Sequence, residues 1–171
     1  TVKNRLARVR ATNMPNKQFK PQDIRYRHFQ RSTDGDYKAV IFLVLDISGS
    51  MDDHKLYLCR ALYYCVVQYL KQIYSDVRVR FVTHHIDAEE KEEGSFFQSK
   101  SNGGTQLSSG TQKVLDIIKD DYEDGEWDIY VWQTTDGDNQ TVDNAVFVDL
   151  MKELSQKARA ILYCETDTGG G

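Results

Sequence analysis

Two aspartates, two serines and a threonine, carried on three separate polar turns, are the residues of this sequence best suited to chemistry. The first turn reads Asp46-Ile47-Ser48-Gly49-Ser50-Met51, the second holds Gly103-Gly104-Thr105, and the third reads Thr134-Thr135-Asp136-Gly137-Asp138. Asp46, Ser48 and Ser50 alternate, so a turn leaving a strand tip can aim their three side-chain oxygens at one point, while Gly49 permits a tight backbone path. Thr105 adds a hydroxyl and Asp136 a carboxylate, which makes five oxygen ligands drawn from three segments. Hard oxygens without His or thiolate suit Mg²⁺, with Mn²⁺ or Ca²⁺ as substitutes. Direct bonds are expected from Ser48 and Ser50, water-mediated or alternating contacts from the others, and one open position. A carboxylate from a protein partner can fill that position through a strongly oriented, charge-assisted contact, so partner binding is expected to depend on metal.

Other chemistries fit less well. An acid at a strand end also suits a phosphotransfer enzyme of the haloacid-dehalogenase-like kind with Asp46 as nucleophile. That pattern needs a second Asp two residues on, where Ser48 stands, and a phosphate-holding Lys that no suitable loop supplies. His84 and His85 are adjacent, so in a strand they point to opposite faces and at most one can reach the site. Both are read as packing or surface residues. Cys59 has neither a His base nor an electropositive setting and is read as core. Asp52 and Asp53 are expected to cap a helix rather than to bind metal. No catalytic residue is assigned.

The turns need a scaffold that brings them together. AVIFLVLD (Ala39 to Asp46) is a continuous apolar run, as a central strand covered on both faces requires. A helix is expected from about Asp53 to Tyr74, with Leu58, Leu62, Cys65, Val66, Tyr69 and Ile73 facing the sheet. VRVRFV (Val77 to Val82) alternates apolar and basic residues, as a half-exposed or near-edge strand does, with Arg78 and Arg80 on the outer face. The acidic run Asp87 to Glu93 suits a short exposed helix. Val114, Ile117, Ile118 and Tyr122 mark another helix, with Ser108 and Ser109 as its caps. WDIYVWQ (Trp127 to Gln133), a helix over Val142 to Lys157 with Val146, Leu150 and Leu154 on one side, and RAILYC (Arg159 to Cys164) complete the pattern. Alternating strands and helices predict an α/β, Rossmann-like, doubly wound and mostly parallel sheet. Ligands bind such sheets at the carboxyl ends of the strands, where all three turns fall.

The 171 residues suffice for one α/β domain. Residues 1–36 read as a basic irregular leader and residues 37–171 as the packed domain. Thr1 to Thr33 carries nine of the 22 Lys and Arg but one of the 26 Asp and Glu, so the remainder is acidic. A nucleic-acid contact through the leader is the alternative this asymmetry raises, but the leader has no recognised binding motif, and a solvated arm is favoured. No apolar run is long enough to span a bilayer. Cys59, Cys65 and Cys164 form neither a disulfide framework nor a CxxC pair, which favours a reducing cytoplasm.

Asp46, Ser48, Ser50, Thr105 and Asp136 resemble the metal-ion-dependent adhesion site of von Willebrand factor type A (VWA) domains, D-x-S-x-S with a distant Thr and a distant Asp. Over about Gln22 to Glu165, the segments QDIRYRHF, VIFLVLDISGSM, FVTHHIDAEEKEEGSFF, SNGGTQLSSG and WDIYVWQTTDGDN are similar to the bacterial YeaH/YhbH group of VWA proteins. The resemblance implies a cytoplasmic protein of stress or sporulation. It also implies genetic neighbours, a serine protein kinase and a SpoVR-like protein, as candidate partners in a regulatory assembly. Two departures accompany it. Thr83 to Asn102 is short for the usual edge strand plus helix, and VWA folds generally continue with a further helix and strand after the fourth strand found here, so the sheet is expected to be incomplete.

Overall fold

Ala39 to Leu45 are completely buried, seven residues in succession, and they form the middle of strand β1 (Lys38–Asp46) in a computed structural model that describes residues 38–100 and 102–166. β1 lies at the centre of a five-stranded sheet of order β3-β2-β1-β4-β5, with β2 at Asp76–His84, β3 at Ala88–Lys91, β4 at Trp127–Thr135 and β5 at Ala160–Glu165. β2, β1, β4 and β5 are parallel, and β3 runs antiparallel to β2. The expected α/β architecture, Rossmann-like with a mostly parallel sheet flanked by helices, is what is found. The basic leader lies outside the described residues.

Burial on both faces of β1 follows from its side-chain alternation. Val40, Phe42 and Val44 pack with Val114, Leu115, Ile117 and Ile118 of helix α3 (Leu107–Asp121) and with Leu154 of helix α4 (Asn144–Lys157). Ile41, Leu43 and Leu45 pack on the other side with helix α1 (Asp53–Lys71) and with Phe96 of the short helix α2 (Glu93–Phe97). Each such apolar side chain contributes about 1.5–3 kcal/mol by leaving water.

The face that α1 buries is the expected one only in part, since Val66 is in the core and Leu62 and Ile73 pack against it, but the other three expected residues do not. Leu56, Cys59, Tyr63, Val66 and Leu70 are inside, whereas Leu58 and Tyr69 are 41% and 63% exposed and Cys65 is exposed. Both sets have helical spacing, because α1 carries apolar and aromatic residues all round. Tyr63 accounts for the choice: its hydroxyl lies 2.6 Å from the Val44 carbonyl and 2.6 Å from Thr134 Oγ1, so the ring is buried with its polar end satisfied. Cys59 is core, as expected.

Three further expectations change. The acidic run is not a helix: it forms edge strand β3 and leads into α2, so the short segment does supply both an edge strand and a helix. Glu90 on that strand pairs with Arg80 on β2, which turns part of an apparently solvated charge run into cross-strand pairing. Ser108 and Ser109 lie inside α3 and do not cap it. Its first amides are held from another loop, Leu107 N–H by Asn139 Oδ1 at 3.2 Å and Ser108 N–H by Asp143 Oδ2 at 3.0 Å. On α4, Leu154 is buried and Leu150 packs against the core, but Val146 is 52% exposed. Asp52 caps α1 as expected, its carboxylate accepting from Lys55 N–H at 2.8 Å.

Candidate metal centre

Strand register brings the three polar turns to one end of the sheet. Asp46, the last residue of β1, pairs with His84 at the end of β2, and Leu45 pairs with Thr134 near the end of β4. The chain leaves β1 through a tight turn closed by Met51 N–H to the Ser48 carbonyl at 3.0 Å. The loop before α3 is stitched to it by backbone bonds from Gly49 N–H to the Gly103 carbonyl at 2.9 Å and from Asn102 N–H to the Ile47 carbonyl at 2.7 Å. A Cβ at Gly49 would sit 3.1 Å from the Gly103 carbonyl oxygen, so glycine permits this close approach. Gly103 itself has φ of 78°, the left-handed region that glycine adopts without strain.

Four of the five expected ligands lie close together. Asp46 is fully buried: Oδ1 accepts from Ser48 N–H at 2.8 Å and Oδ2 from the Thr135 hydroxyl at 2.7 Å. The Ser48 and Ser50 hydroxyl oxygens lie 3.2 Å apart. Asp136 lies near enough to Ser50 for that hydroxyl to favour its ionised form, and it accepts from Lys55 Nζ at 2.9 Å. Thr105 comes to the same rim by its backbone, since Gly103, two residues before it, accepts from Gly49 N–H, and Gln106 N–H, next to it, bonds the His85 carbonyl at 2.7 Å. Its side chain is buried, and among the described residues no hydrogen bond joins its hydroxyl to the other four.

Sequence reasoning missed two residues. Thr135 is buried and orients Asp46, which the doubled threonine before Asp136 does not reveal without the strand register. Lys55 stands in the first turn of α1, where the helix dipole disfavours a cation. That position was a readable sign that an acid from elsewhere meets it. Lys55 Nζ also donates to the Ser50 carbonyl at 3.0 Å, and its side chain is only 16% exposed. Burial alone would push the Asp136 carboxyl up, but the contacts with Lys55 and Ser50 outweigh it and hold the group below its usual value of 3.8. The same contact with Asp136 raises Lys55. Asp136 is therefore an ionised acid already holding a positive charge.

The donor set fits a hard divalent cation. A cation with bonds of about 2.1 Å in octahedral geometry needs neighbouring ligand oxygens about 3.0 Å apart, and the two serine hydroxyls stand 3.2 Å apart. The Lys55 ammonium on Asp136 and the Ser50 carbonyl is a stand-in showing that a cation is favourable at this rim. Among the described residues no three His, Cys, Asp or Glu side chains cluster, so hydroxyls and water would have to supply much of any coordination. His84 takes no part: its ring is fully buried, 2.7–3.0 Å from where a Cβ on Gly110 would stand, and burial pushes its pKa down. His85 lies in the loop after β2, its Nδ1 accepting from Ile86 N–H at 2.6 Å.

Comparison with known proteins gives two kinds of likeness. The family model described as "Protein of unknown function (DUF444)" matches residues 2–170. A UPF0229 protein of Ruminiclostridium cellulolyticum is 37% identical over 151 residues, which cover 88% of this chain and 38% of that protein. A UPF0229 protein of Clostridium perfringens is 33% identical over 147 residues, with 86% and 38% covered. The chain thus spans less than half the length of these relatives. Among solved structures, the conserved hypothetical protein BatB from Bacteroides thetaiotaomicron superposes with a TM-score of 0.58 at 18% identity, covering 75% of this chain and 66% of that one. At that identity the likeness is one of fold alone. Among the described residues no helix is long and apolar enough to cross a membrane.

Proposed function

This chain belongs to the DUF444 family, and from the geometry of its strand tips we propose that it is a VWA-type module binding an acidic group of a protein partner through a divalent cation, most simply Mg²⁺. The observation that carries the proposal is the meeting of Asp46, Ser48, Ser50 and Asp136 at the strand tips, with Thr105 on the loop stitched to the same turn. Ser48, Ser50 and Asp136 would hold the ion, with Asp46 and Thr105 contributing directly or through water. The ion would supply an electrostatic anchor for a carboxylate.

The chain's own residues prepare that contact. Thr135 and the Ser48 amide lock the Asp46 carboxylate in one orientation, and such outer contacts keep a site in shape before its ligand arrives. The exposed Ser50 hydroxyl faces the rim, where a partner's Asp or Glu would approach. A phosphotransfer role for Asp46 is disfavoured, because both its oxygens are hydrogen-bonded and the residue is fully buried. No catalytic role is proposed. A cytoplasmic setting is proposed from the three free cysteines. A regulatory assembly of stress or sporulation, with a serine protein kinase or SpoVR-like partner, is proposed from the YeaH/YhbH resemblance.

The test is capture of partners by the immobilised full chain from an extract of its own organism, in Mg²⁺ and in EDTA, identified by mass spectrometry. A partner held in Mg²⁺, released by EDTA and lost with Asp136→Ala is the expected result. Partners held equally in EDTA would refute metal-dependent binding.

A further inference from the structure

Lys55 has no role in the metal centre as proposed, yet it makes two of the polar contacts at its rim. Its ammonium lies 2.9 Å from Asp136 Oδ2 and 3.0 Å from the Ser50 carbonyl, and the paired carboxylate is 3% exposed at its side chain. A Lys in the first turn of a helix opposes the positive end of the helix dipole, so local preference does not place it there. Asp136 does. We propose that Lys55 is the resident counter-ion of the site and that a divalent cation binds by exchange, taking Asp136 while the ammonium leaves it.

The exchange rests on the metal-binding reading of the same site. One carboxylate oxygen cannot keep a close ammonium and also serve a divalent ion a few ångströms away without strong like-charge repulsion. The released ammonium has somewhere to go, because Asp52 and Asp138 are close enough to attract it. Two consequences follow. The acidic rim is neutralised in the metal-free protein, so the turns keep their arrangement without metal. A monovalent ion offers Asp136 no more charge than Lys55 already does, so the lysine selects for divalent ions.

Calorimetric titration of Mg²⁺ and of Mn²⁺ into the full chain, with Lys55→Met and Lys55→Arg beside it, reads the exchange directly. Removing a unit positive charge from beside the ion should tighten binding on the order of tenfold or more in Lys55→Met, with no such gain in Lys55→Arg. A second reading needs no variant: acetylation of Lys55 by acetic anhydride, followed by mass spectrometry, should speed up when Mg²⁺ is added, because the amine loses its carboxylate. Wild-type protein that binds the cation with Lys55 equally protected, and Lys55→Met that binds no more tightly, would overturn the exchange and leave the metal site standing. Absence of cation binding in all three proteins would overturn both.

Discussion

Replacing Thr135 by valine isolates one hydrogen bond at the heart of the site. Valine has nearly the shape of threonine, and Thr135 is fully buried, so no cavity opens and the change is the loss of the hydroxyl. That hydroxyl donates to Asp46 Oδ2 at 2.7 Å and accepts from Gly137 N–H at 3.2 Å. The second bond is long and Gly137 is exposed, so water can replace it at little cost. The first is a bond to a buried carboxylate, worth about 1.5–3 kcal/mol. A domain of this size loses about 2–4 °C in Tm per kcal/mol, so Thr135→Val should melt roughly 3–12 °C below the wild type. Thr135→Ser keeps the hydroxyl and gives up a buried methyl worth about 0.8 kcal/mol, so it should fall between. Thermal unfolding followed by circular dichroism in EDTA reads the order. A valine variant as stable as the wild type, or a serine variant below valine, would refute the claim that this hydroxyl holds Asp46 in place.

The Tyr63→Phe variant should lose about 0.5–1.5 kcal/mol by removing the hydroxyl that bridges the Val44 carbonyl and the buried Thr134 hydroxyl, measured by urea unfolding; an unchanged midpoint would mean the bridge contributes nothing. In Gly110→Ala the new Cβ would stand 2.7 Å from His84 Cδ2 and 3.0 Å from Val44 Cγ1. Overpacking of about 1–3 kcal/mol then exceeds the roughly 1 kcal/mol that alanine gains in a helix, and a net loss is expected; a stabilised variant would show that α3 does not seat this closely on the strand tips. Asp136→Asn should cost about 1 kcal/mol near pH 6 and less near pH 3. The folded protein holds this carboxyl below its usual value of 3.8, so the stabilisation is present above that value and is lost as the pH falls through the lowered one. A deficit equal at both pH values would contradict the Lys55 pairing.

The continuous apolar run before Asp46 pointed to the central strand, because seven successive apolar residues rich in Val and Ile, too few for a typical helix, suit a strand covered on both faces. The D-x-S-x-S turn and the later Asp were legible for a related reason: their spacing alone makes convergence at a strand tip geometrically possible. What stayed hidden depended on partners distant in sequence. Helical spacing could not choose between the two apolar stripes of α1, since the choice turns on a hydroxyl bond from Tyr63 to Val44 and Thr134. The caps of α3 are Asn139 and Asp143, more than thirty residues downstream, so the serines next to the helix were the natural but mistaken candidates. β3 was obscured by its charges, which an edge strand accepts readily and which Arg80 partly pairs.

A crystal of the chain grown or soaked with Mn²⁺ and measured at a wavelength where manganese scatters anomalously locates the ion without assumption. The expected result is one strong peak at the strand tips, about 2 Å from the Ser48 and Ser50 hydroxyl oxygens, with Asp46, Thr105 and Asp136 around it. A peak elsewhere on the molecule, or none at these two serines in the presence of bound manganese, would contradict the metal centre.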